Sequence, residues 1–105
     1  MSQYCMIFCT CTNQDEARKI AMHLLQTKLA ACINILPEVE SLYLWQGELE
    51  TSVESKLLIK TQQEKVNDVI STIKLHHSYD VPEIQAVPVI AGNPDYFNWI
   101  DKVIS

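Results

Sequence analysis

Two adjacent histidines, His76 and His77, open the stretch His-His-Ser-Tyr-Asp-Val-Pro-Glu-Ile at 76–84, close to Asp80 and Glu83. Of the four cysteines, Cys5, Cys9 and Cys11 fall within seven residues of one another, and Cys32 is the fourth. Imidazole and thiolate are the donors that hold copper and zinc, whereas carboxylates alone favour magnesium or calcium. The chemistry these residue types offer is therefore that of a copper or zinc site. The spacing is not that of a zinc finger, because Cys9-x-Cys11 has no second CxxC or HxxxH partner. It points to a surface-exposed or shared site rather than a closed structural one. Plainer roles compete with this one. Histidines at a helix C-terminus interact favourably with its dipole, and free cysteines often fill a core as small apolar groups.

The elements that must position these groups can be read from periodicity. Residues 4–12 alternate Tyr4, Met6 and Phe8 with Cys5, Ile7 and Cys9, apolar on both faces, which predicts a central strand covered on both sides. Asn13 caps a helix with Glu16 three residues on, and Ala17, Ile20, Ala21, Leu24 and Leu25 form its apolar stripe. His23 falls off that stripe and reads as a solvated residue. A strand starts at Cys32, bends or bulges at Pro37 and Glu38, and resumes over Leu42 to Trp45. Gln46-Gly47 marks a hairpin turn, and the return strand carries Val53, Leu57 and Ile59. The hairpin is long for so short a chain, and its far end has little to pack against.

Thr61-Gln62-Gln63-Glu64 reads as a capping box that starts a second helix, with Val66, Val69, Ile70 and Ile73 on its stripe. That helix runs to the histidines. A last strand over 83–90 contains Pro88, which argues for a sheet edge. Asn93-Pro94 starts a short final helix expected to bury Tyr96, Trp99, Ile100 and Val103. The order β-α-β-β-α-β plus a helix predicts an α+β fold: the ferredoxin-like split βαβ sandwich, with helices on one face of an antiparallel sheet. The bare sheet face and the long hairpin predict an oligomer.

The totals bound the function. With 105 residues the chain reads as one domain, 1–105, large enough for a core without staples. The formal charge of −5 argues against a nucleic-acid surface. No apolar run is long enough to span a membrane, and no secretory signal is visible at the start. Cysteines on one side of one strand are poorly placed to bridge each other, so reduced thiols in a cytoplasmic protein are expected. Catalysis through a cysteine nucleophile is disfavoured. No Cys-His-Asp constellation is suggested, and two glycines, Gly47 and Gly92, cannot build a phosphate loop.

Six ordered blocks carry a more specific signal. They are Lys28-Leu29-Ala30-Ala31-Cys32 with Asn34-Ile35, Ser41-Leu42-Tyr43-Leu44-Trp45-Gln46-Gly47, Lys60-Thr61, His76-His77-Ser78-Tyr79, Val81-Pro82-Glu83-Ile84, and Tyr96-Phe97-Asn98-Trp99-Ile100. Together they resemble the CutA divalent-cation tolerance proteins over nearly the whole chain. The resemblance implies a ferredoxin-like homotrimer whose hairpins pair between subunits, similar to the P-II signalling trimers. It also implies a cytoplasmic, non-enzymatic role in divalent-metal tolerance, with copper above all and zinc as another possible ion. The implied ligands are Cys9, His76 and His77. Where that family usually has Pro, this chain has Ser78, which implies a looser helix end.

The topology itself is read as setting Cys9 and the histidines at opposite ends of the sheet. Either a neighbouring subunit then closes the site or two sites form, and Cys32, expected nearer the histidines with Cys5, is a fourth candidate. Lys60 and Glu83, with Trp45 and Tyr79 alongside, suggest either an intersubunit ion pair or a small-ligand pocket. The second choice makes a P-II-like signalling or scaffold trimer the alternative function.

Overall fold

A computed structural model describes residues 3–105. Its elements are β1 (Tyr4–Cys11), α1 (Gln14–Gln26), β2 (Cys32–Trp45), β3 (Glu48–Gln62), a 3-10 turn (Gln63–Lys65), α2 (Val66–His76), β4 (Ile84–Pro88) and α3 (Pro94–Ile104). The sheet order is β2-β3-β1-β4, with every neighbouring pair antiparallel. This is the expected split βαβ sandwich. β1 is central, and β4, with Pro88, lies at the edge.

Alternation along β1 divides its side chains cleanly. Cys5, Ile7, Cys9 and Cys11 are buried under the helices with Leu57 and Ile59 of β3. Ala17, Ile20, Ala21 and Leu24 of α1 and Val69 and Ile73 of α2 close this core from above. Met6 and Phe8 face the other side and are only half-buried.

Local signals acted where they were strong. Asn13 caps α1 by accepting from the Glu16 N–H at 2.9 Å, and Asn93 caps α3 by accepting from the Asp95 N–H at 3.0 Å. Gln46 and Gly47 both take positive φ, 51° and 81°, as a two-residue hairpin turn requires. The ladder between β2 and β3 shifts register between Leu36 and Val39, and Glu38 there has φ 56°. The hairpin then runs on well past the body, and the molecule measures 45 × 26 × 22 Å.

Two expectations fail for tertiary reasons. Thr61 does not cap α2: it is fully buried as part of β3, and its hydroxyl donates to the Leu29 carbonyl at 2.7 Å. A 3-10 turn bridges to α2 instead, without a side-chain cap. In α3, Ile100 and Ile104 are the buried residues, while Tyr96 and Trp99 are exposed and stack on each other, 5.9 Å between centroids. Phe97 holds the helix by stacking on Tyr4 at 4.5 Å. Tyr4 also donates to Asp101 at 2.7 Å.

Candidate metal centre

Cys9 and Cys11 lie on the helix-covered side of β1, two residues apart, with no exposure to solvent. His77 reaches them from α2. Its backbone N–H closes the helix on the Ile73 carbonyl, and its own φ and ψ, −86° and 143°, leave the helical region. That turn swings the imidazole in between helix and sheet, where its side chain is wholly buried. One ligand atom each from Cys9, Cys11 and His77 lie within 4.8 Å of one another.

The expectation that Cys9 and the histidines sit at opposite ends of the sheet is thus corrected. β3 is antiparallel to β1, and α2 returns antiparallel to β3, so α2 runs with β1 and ends beside its C-terminal half. Cys32 and Cys5 are at the far end instead. Cys32 pairs with Lys60 and lies 3.7 Å from its Nζ, while the Cys5 sulfur faces the Gln62 carbonyl. Lys60 and Glu83 are likewise at opposite ends: Lys60 meets Asn34, and Glu83 pairs with Lys56 at 3.7 Å.

His77 is firmly held. Its Nδ1 accepts from the Tyr79 N–H at 3.0 Å, so Nε2 carries the proton and donates to the Thr10 carbonyl at 2.7 Å. Glu16 stands 3.7 Å from Nε2. Its carboxylate accepts from the Thr12 N–H and, at 2.9 Å, from the Ser78 N–H. A proline at 78 could not make the second bond, so this helix end is tied down rather than loose. Burial pushes the Glu16 carboxyl up, but those two donors and the neighbouring imidazole outweigh it and hold it below its ordinary 4.5. A hydrogen bond to Cys9, and then burial, push the Cys11 thiol well up.

The thiol and imidazole donors fit a thiophilic ion by type. Such an ion would have to displace the protons of both thiols and one of the two hydrogen bonds on His77. His76, one residue away, faces elsewhere: it is exposed, its Nδ1 donates to the Thr72 carbonyl at 2.9 Å, and its ring lies on His23. His23 is therefore half-buried against another ring rather than freely solvated. Sequence reading left Cys11 out of the ligand set and saw Glu16 only as part of a helix cap. Same-side alternation of Cys9 and Cys11 was the available signal for the first.

Beside this centre a cleft of about 890 Å³ opens between the hairpin and the loop after α2, lined by Trp45, Tyr79, Glu54, Lys56 and Glu83 among others. Tyr79 donates to Glu54 at 2.7 Å, and burial, then that bond, push its phenol up to about 12. Glu83 accepts from the Thr10 hydroxyl, which with Gln85 and Lys56 holds its carboxyl below the ordinary value.

Fold and donors together define a small α+β protein with thiol and imidazole groups gathered where a helix end meets the central strand. The chain belongs to the family described as CutA1 divalent ion tolerance protein, which matches residues 5–103. It is 38% identical over 97 residues to "Protein CutA homolog" of Xenopus laevis, covering 92% of this chain and 64% of that protein. It is 39% identical to "Divalent-cation tolerance protein CutA" of Archaeoglobus fulgidus, covering 93% of this chain and 95% of that one. The solved CutA of Xylella fastidiosa superposes with a TM-score of 0.95 at 42% identity, over 99% of this chain and 100% of that one. Against the vertebrate and plant relatives the chain spans between 52% and 64% of their length. Among the described residues, no helix is long and apolar enough to cross a membrane.

Proposed function

We propose that this chain is a cytoplasmic, non-enzymatic homotrimer that binds copper, and zinc at the same donors, in the service of divalent-cation tolerance. The observation that carries the reading is the gathering of Cys9, Cys11 and His77 at one end of the sheet. Cys9 and His77 are two of the ligands the family resemblance implies, and Cys11 stands where His76 was expected. The trimer is supported by the hairpin, whose apolar Leu44, Trp45 and Leu49 face solvent. The cytoplasm is supported by four free thiols. Calorimetric titration with copper under a thiol-free reductant tests the site. Substituting Cys9→Ser and Cys11→Ser together should weaken binding by about tenfold or more, and unchanged affinity would sink the assignment.

A second reading is supported by the cleft that Trp45 and Tyr79 line: a signalling or scaffold trimer binding a small ligand or protein partner there, with metal incidental. A thermal-shift screen separates the two, because a ligand specific to the native state raises apparent stability. Hits abolished by Trp45→Ala but untouched by the cysteine substitutions favour the scaffold.

A further inference from the structure

We propose that the cleft between the hairpin and the loop after α2 binds an elongated organic cation of the diamine or polyamine class. The proposal rests on the second reading above, that this cleft takes a small ligand, and adds the sign and shape of that ligand. Around a space of about 890 Å³, Glu40, Glu50, Glu54, Asp80 and Glu83 stand against a single cation, Lys56. Lys56 is already engaged, 3.7 Å from Glu83 and 5.7 Å over the Phe8 ring. The lining therefore repels nucleotides and other anions and attracts cations.

Acidic side chains alone would mark no more than a solvated face. Glu54 separates this cleft from such a face. It is only 9% exposed, and Tyr79 orients it by donating to one of its oxygens at 2.7 Å. Among the described residues no cation pairs with it, because Lys56 goes to Glu83. A buried carboxylate without a cation is costly, and a ligand N–H⁺ at the cleft wall would remove that cost.

The spread of the carboxylates selects the shape of the ligand. Cys9, Cys11 and His77 bring ligand atoms within 4.8 Å of one another, and among the described residues no three carboxylates of the cleft do so. A magnesium or calcium ion gathers roughly six or more oxygens around one point, which this lining does not offer. Ammonium groups strung on methylenes reach several separated carboxylates at once. Trp45 and Tyr79 line the same space, and an aromatic face attracts an alkylammonium while its stem packs on the ring.

The test uses the full-length protein, titrated with spermidine by calorimetry. Binding should saturate, and Glu54→Gln, which keeps an oxygen for Tyr79, should weaken it by about tenfold or more. Trp45→Ala should weaken it by about threefold or more. The Cys9→Ser/Cys11→Ser variant should leave it within about twofold, since the two sites share no ligand. In the unsubstituted protein, spermidine should shift the indole N–H resonance of Trp45 and spare that of Trp99, which lies outside the cleft. That readout needs no variant to fold. Spermidine binding indifferent to Glu54→Gln, or matched by Mg²⁺ at the same concentration, is attraction to the net charge of −5 alone and overturns the proposal. No spermidine binding, with a neutral or anionic hit from the thermal-shift screen lost in Trp45→Ala, overturns the cationic class and leaves the cleft reading standing. Silence from spermidine and from the whole screen removes both.

Discussion

The helix-covered body and the projecting hairpin both carry apolar residues on paired strands, with opposite fates. In the body, Ile7, Cys9 and Leu57 have no exposure at all. In the arm, Leu44 is 75% and Leu49 72% exposed, although both lie on paired strands. Strands pair in both regions. What differs is whether anything lies over the side chains, and only the body has helices to do that. The body therefore covers its strand residues by itself, whereas the arm exposes apolar surface of the kind that marks a contact site.

The contrast can be broken most forcefully in the body. Leu57→Ala opens a cavity in the helix-covered core and should cost about 2–5 kcal/mol, read as a lower urea midpoint. A loss below about 1 kcal/mol would mean the core repacks around the gap. Next comes the neighbour comparison at the end of α2. His77→Ala strands the Thr10 carbonyl and the Tyr79 N–H and should cost about 1–3 kcal/mol. His76→Ala, at the exposed position beside it, should stay within about 0.5 kcal/mol in metal-free protein. Equal costs for the two would erase the distinction between an inward and an outward histidine.

Glu16→Gln probes a smaller link, the tie between the start of α1 and Ser78, at about 1 kcal/mol. Its pH dependence has a definite sign. The folded carboxyl lies below the ordinary 4.5, so its stabilisation is complete above that value and drains away as pH falls through the lower folded value. Between those limits the gap between native protein and variant should close on acidification. A gap that is flat with pH would assign the cost to packing alone. Smallest in the isolated chain is Leu44→Ser/Leu49→Ser, expected within about 0.5 kcal/mol at high dilution. In assembled protein the same pair should lower the mass seen by light scattering, since the arm's apolar residues would then be the contact. Unchanged mass would leave the arm's exposure without a purpose in assembly.

Much of the architecture was legible because its signals are local. Asn13, Gln46-Gly47, Asn93-Pro94 and Pro88 each constrain their own backbone or a few residues around it, and each sits where that constraint predicts. Thr61 was misread because a capping pattern and a buried strand position compete for the same hydroxyl. Burial beside Leu29 won. Tyr96 and Trp99 show the converse, since periodicity names an apolar face without saying whether anything covers it.

The sequence alone determined the order of elements, their turns and the kind of metal chemistry the side chains could support. Only the tertiary structure decided which donors meet. His77 and Thr10 are 67 residues apart, and they touch because two antiparallel relations return α2 to the end of β1 where Cys9 and Cys11 lie. The same packing turns His76 outward onto His23. Backbone preferences act over a few residues, whereas the meeting of distant side chains depends on the direction in which whole elements pack.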